Sequence, residues 1–75
     1  ERLQLWQKAM PASLTADAGI SLRELARQYE MTGASILNAV HYATLQCYAR
    51  GSKVILQNDL VEGIRKEFIK EEKSM

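Results

Sequence analysis

The chain has 75 residues, 47% of them hydrophobic, enough for one small domain with a compact core. Ten basic and nine acidic residues leave a net charge of +1, which gives little electrostatic pull toward nucleic acid or an anionic membrane. The single cysteine, Cys47, excludes an internal disulfide and a multi-cysteine zinc site, and points to a reducing, cytosolic setting.

No apolar run approaches the ~20 residues a membrane span needs, and no signal peptide is visible. The first helical candidate is 2–10, where Leu3, Trp6 and Met10 recur at spacings of three and four. Pro11 ends it, because proline cannot continue a helix and pushes its predecessor toward extended geometry. Residues 12–19 read as a small, polar loop.

The second helix, 21–30, opens on a capping box of Ser21 with Glu24, and Ile20 and Leu25 stand at hydrophobic-staple spacing. Leu22, Leu25, Ala26 and Tyr29 make one apolar face, with Arg23, Arg27 and Gln28 on the wet side. A short turn leads into the longest helix, 33–50, capped by Thr32 and stapled by Met31 onto Ile36. Along it Ile36, Val40, Ala43, Thr44 and Cys47 form a stripe expected to be buried. A second, partly polar line of Ala34, Leu37, Asn38, His41 and Leu45 is expected to face a cleft or another domain. Gly51 is placed to close this helix as its C′ residue.

Residues 53–56 form a short extended link, too brief for an independent sheet. The last helix, 58–71, has Asp59 in its first turn, and Leu60, Val61, Ile64 and Phe68 are expected on its inner face. Glu62 and Lys66 have favourable i,i+4 order. Gly63 costs the helix up to ~1 kcal/mol against alanine unless packing requires it. The tail from Lys70 to Met75 is expected to fray. These readings sum to an all-α, small four-helix bundle forming a single domain over 1–75. Starting at Glu1 and predicted to be helical by Leu3, the chain reads as a piece cut from something longer.

A catalytic constellation is not found. His41 and Cys47, six residues apart on one helix, do not share a face, so they make no nucleophile–base pair. Metal ligands are too few, the carboxylates lie on solvated faces, and no glycine-rich phosphate loop is present. By itself the segment is expected to catalyse nothing and hold no metal. What stands out is the Gly33-Ala34 start of the longest helix, which leaves bare backbone at a helix N-terminus where something can approach closely.

Two specific readings follow. Within 21–40, the residues Leu25, Ala26, Tyr29, Met31, Ile36 and Ala39 fit the apolar positions of a helix-turn-helix, which would send residues 32–38 into a major groove. Against it, 33–49 contains no Lys or Arg, Leu37 would point at bases, and Glu30 holds a turn position that usually needs glycine. Phosphate contacts would fall to Arg23, Arg27 and Lys53 alone.

The other reading is a resemblance spanning 2–68. Arg2-Leu3-Gln4-Leu5-Trp6 is similar to the arginine-plus-apolar opening of the C-terminal helical lid of AAA (AAA+) ATPases. Ile20-Ser21-Leu22-Arg23-Glu24-Leu25-Ala26 resembles the lid's next helix. Gly33-Ala34-Ser35-Ile36-Leu37-Asn38 resembles the family's Gly-Ala-Asp-Leu-x-Asn signature, with Ser35 in place of the acidic residue. A helix through Ala43 to Ala49-Arg50, the pair Val54-Ile55, and Asp59-Leu60 opening a final amphipathic helix follow in the family's order.

The resemblance implies a nucleotide lid in which the backbone at Gly33 and Ala34 packs against the adenine of ATP. Ala9 stands where such lids often carry a ribose-side histidine, and no sensor arginine stands early in the third helix. Phosphate and Mg contacts in the parent ATPase are therefore expected from the large domain preceding this segment. The implied partners are that large domain and neighbouring subunits of a homo-oligomeric ring, most often a hexamer, in the cytoplasm, with no nucleic acid and no membrane. His41 is expected to be an ordinary surface or half-buried histidine, with a role toward the nucleotide or a neighbouring subunit as the alternative. Trp6 is expected as a core or interdomain anchor, and Asn38 to hydrogen-bond a backbone group across the lid.

Overall fold

The structure, a computed structural model, describes the backbone of residues 2–73 and the side chains of residues 3–70. It holds four helices, α1 (Arg2–Ala9), α2 (Leu22–Gln28), α3 (Gly33–Ala49) and α4 (Gln57–Lys73). Two two-residue strands, β1 (Thr15–Ala16) and β2 (Val54–Ile55), complete it. No helix among the described residues is long and apolar enough to cross a membrane.

The helices begin where the capping residues stand. Ser21 Oγ accepts from the Glu24 N–H at 3.3 Å, and Thr32 Oγ1 accepts from the Ser35 N–H at 3.1 Å. The expected capping box is only half made, because the Glu24 carboxylate takes the Arg27 guanidinium at 2.8 and 3.0 Å instead. α2 is shorter than 21–30, since Tyr29 turns extended (φ −119°, ψ 121°). α3 ends in a Schellman motif: Gly51 at φ 71° donates to Tyr48 O at 2.9 Å, and the Ser52 N–H reaches Cys47 O at 3.1 Å. α4 continues through Lys73 rather than fraying from Lys70. Ser74 and Met75, the end of the expected frayed tail, lie outside the described residues.

The loop of residues 12–19 is not without regular structure. β1 and β2 pair in parallel, with the Thr15 N–H donating to Lys53 O at 2.9 Å and the Asp17 N–H to Ile55 O at 2.8 Å. Leu14 and Ile55, both buried, fix this ladder to the core. Burial, not local propensity, holds a pair of strands this short.

α3 is the central rod. It packs along α4 and across α1, while α2 lies against α1. Its buried stripe is Ile36, Ala39, Val40, Ala43 and Cys47. Thr44 is half-buried and turns its hydroxyl back to Val40 O at 2.8 Å. At the crossing with α4, a Cβ on Gly63 would sit 2.5 Å from Ala39 O and 3.1 Å from Ala39 Cα. Packing therefore requires glycine there, and the propensity loss of ~1 kcal/mol secures the closest helix approach. Cys47 donates its thiol to Ser52 O at 3.1 Å, a structural contact.

α4 departs from its expected inner face. Leu60 and Ile64 are buried as predicted, but Glu67 is buried too, and Phe68 is 38% exposed. The Glu67 carboxylate accepts from Asn38 Nδ2 at 3.3 Å and pairs with Lys70 at 3.0 Å. A buried charge needs such partners. Phe68 instead leans on Tyr29, with ring centroids 6.2 Å apart. The expected Glu62–Lys66 pair is replaced: Glu62 lies 4.0 Å from Arg65, and Lys66 Nζ sits 5.2 Å from the Tyr42 ring centroid.

One ion pair clamps the end of α3 to the start of α4. Arg50 meets buried Asp59 in a fork, Nη1 to Oδ1 at 2.7 Å and Nη2 to Oδ2 at 2.8 Å. Asp59 Oδ2 also accepts from the Leu56 N–H at 3.0 Å, capping α4. The Arg50 hydrogen bonds hold the Asp59 carboxyl below its usual range against the opposing effect of burial, with the Leu56 N–H adding to the downward pull. The same pairing raises the Arg50 guanidinium above its ordinary value.

Candidate functional site

The Gly33-Ala34 opening of α3 is exposed on both residues. Thr32 uses its side-chain oxygen on the Ser35 N–H and its carbonyl on the Ile36 N–H at 3.0 Å. The amides of Gly33 and Ala34 come before the first intrahelical bond, where a helix has spare donors. Ile36, fully buried, anchors this turn to the core.

Beside it lies a shallow hollow of ≈240 Å³, lined by Leu5, Lys8 and Ala9 from α1 and by Gly33 and Leu37 from α3. The α1 residues stand at i, i+3 and i+4, and the α3 residues at i and i+4, so each helix offers one face. Trp6 keeps that face of α1 in place, since it is fully buried in the core next to Leu5. Trp6 is thus a core residue, and its indole Nε1–H is buried without an acceptor among the described residues. Leu5 is 40% and Leu37 58% exposed, an apolar rim left open to solvent.

The glycine lining this hollow meets no need within the described chain. Gly51 is the glycine with positive φ among the described residues, so Gly33 has a backbone that any residue can adopt. A Cβ at Gly33 would touch Leu5 Cδ1 at 3.8 Å, an ordinary van der Waals contact. Neither a tight turn nor a neighbouring side chain requires it.

Of the residues singled out from sequence, Gly33 lines the hollow, and Ala34 is exposed beside it without lining it. Ala9, where the resemblance leads one to expect a ribose-side histidine, is part of the wall. His41 is exposed and lies outside the hollow. Asn38 reaches the Glu67 carboxylate rather than a backbone group. Sequence reasoning missed Leu5 and Lys8. The signal was available, because Leu5 falls off the Leu3–Trp6–Met10 stripe and shares an i, i+3, i+4 face with Lys8 and Ala9.

A second depression, ≈320 Å³, lies between Tyr29 and the Val61, Ile64, Arg65, Phe68 and Ile69 side of α4. It is larger, but it holds none of the residues marked for ligand contact, and Arg65 is already close to Glu62. Among the described residues no group of three or more His, Cys, Asp or Glu side chains is placed to hold a metal ion. No protein-family model matches the chain, and no curated protein matches it.

Proposed function

We propose that this chain is the helical lid of an AAA-type ATPase, roofing the adenine of ATP with the Gly33 ledge of α3. The observation that carries the reading is the glycine itself. Gly33 is bare, exposed and set in an apolar hollow, yet neither its φ nor its neighbours demand glycine. A flat ring stacking on that backbone would. The order of lid-like motifs along 2–68 supports the family reading, and the hollow offers a surface against which the ring would lie.

In this reading the lid contributes binding and mechanical coupling. A preceding large domain would bring the phosphate loop, Mg and the hydrolytic groups. Hydrolysis there would change the lid angle, and the motion would pass to the next subunit of a cytosolic ring, a hexamer in most relatives of this type. Protein ligand sites usually enclose about 300–1,000 Å³, so a hollow of ≈240 Å³ fits one wall of a site better than a whole one.

Titration of the isotope-labelled chain with ATP, followed by amide NMR, tests this. Shifts should cluster at Leu5, Ala9, Gly33, Ala34 and Leu37, with a Kd of about 1 mM or weaker. No shifts there, or a submillimolar affinity, would count against a half-site. A Gly-x-x-x-x-Gly-Lys-Ser/Thr motif roughly two hundred residues upstream in the parent gene would identify the large domain directly. The helix-turn-helix alternative requires α2 and α3 to pack on each other, whereas α2 lies on α1 and scarcely meets α3. A salt-sensitive shift on duplex DNA would revive it.

A further inference from the structure

We propose that Lys8 reads the phosphate of the nucleotide seated on the Gly33 ledge, so that the hollow prefers a phosphorylated nucleoside over a bare one. The inference rests on the nucleotide reading above and names a residue that nothing in the motif comparison assigns. Of the five residues lining the hollow, Leu5, Ala9, Gly33 and Leu37 are apolar and Lys8 alone is charged. A hollow with apolar walls and one ammonium suits a flat apolar group that carries an anion.

Lys8 is also free to serve. Arg27, Arg50, Arg65 and Lys70 are each committed to a carboxylate, and Lys66 to the Tyr42 ring. Lys8 has no acidic partner among the described residues, and it is exposed. A lysine stem can lie along an apolar wall while its compact ammonium reaches past the rim toward an anion. Lys8 also occupies the last turn of α1, where a cation favours the helix C-terminus whether or not a ligand is present. The experiment has to separate these two roles.

The labelled 75-residue chain is titrated by NMR with adenosine and with AMP, at low and high salt, for the native protein, Lys8→Gln and Lys8→Glu. Both ligands should move the Gly33, Ala34 and Leu37 amides of the native chain. AMP should bind about two- to fivefold more tightly than adenosine at low salt, the range of an exposed ion pair. Lys8→Gln should abolish the AMP preference, so that AMP and adenosine bind alike, and Lys8→Glu should invert it. An AMP preference that survives Lys8→Gln, or equal affinity of the two ligands for the native chain, overturns the Lys8 assignment while the ledge stands. If neither ligand moves the Gly33 amide, the nucleotide reading itself fails and the Lys8 role falls with it.

Discussion

The same substitution at two glycines should change stability in opposite directions. At Gly63 the added methyl would sit 2.5 Å from Ala39 O and 3.1 Å from Ala39 C and Cα, all backbone atoms of α3. Nothing flexible can move aside, so α3 and α4 must separate along their shared seam. Overpacking of this kind costs about 1–3 kcal/mol. The better helix propensity of alanine returns about 1 kcal/mol. A Gly63→Ala chain should therefore lose up to about 2 kcal/mol, a fall in Tm of up to about 16 °C for a domain of this size. At Gly33 the methyl would rest 3.8 Å from Leu5 Cδ1, a flexible and exposed side chain, and no positive φ stands in the way. Gly33→Ala should gain about 0.4–1 kcal/mol by restricting the unfolded chain. Thermal melts by circular dichroism read both. A Gly63→Ala chain melting at or above the native temperature would refute the close crossing. A destabilised Gly33→Ala chain would show that the fold itself needs this glycine, and the argument that its bareness serves a ligand would collapse.

Other outcomes follow from the core and the clamp. The Asp59 carboxyl is held below its ordinary range in the folded state, so its contribution is fully present above the unfolded value near 3.8. It is lost as pH falls through the lower folded value. Asp59→Asn should cost about 1–3 kcal/mol at neutral pH and much less once the pH has fallen below the folded-state value of Asp59, read from urea melts across pH. Trp6→Phe removes a buried N–H that has no acceptor among the described residues, so it should cost well under the roughly 3–5 kcal/mol of a large-to-alanine change at a core aromatic, measured by the same melts. Cys47, buried and donating to Ser52 O, should react with a thiol reagent only as fast as the domain opens, and fully in denaturant.

Local chemistry made the helices legible. Ser21, Thr32 and Gly51 each act through their nearest neighbours, so a reader of the sequence can place them without knowing the fold. The stripe on α3 is similarly local, a matter of spacing. What stayed hidden depends on pairing distant segments. The ladder joins Thr15 to Val54 through a register that neither loop encodes by itself. Glu67 looks like surface charge until Asn38, twenty-nine positions earlier, is brought against it. Arg50 and Asp59 stand nine positions apart, and only the turn between them makes a fork. The site divides in the same way. Gly33 was visible as a bare helix start, whereas Leu5 and Lys8 belong to it only because α1 crosses α3 at that point.

That crossing also bears on how the proposed lid would work. The hollow takes its walls from two helices, and both are tied to one core beneath it, α1 through Trp6 and α3 through Ile36. Moving Leu5 away from Leu37 would mean withdrawing a fully buried indole or isoleucine, and a change of that size costs several kcal/mol. A ligand bound with millimolar affinity supplies only about 4 kcal/mol in total. It cannot reshape the hollow and bind as well. Any nucleotide-driven motion must therefore carry α1 and α3 together as one body, with the movement confined to the junction between this bundle and whatever completes the site.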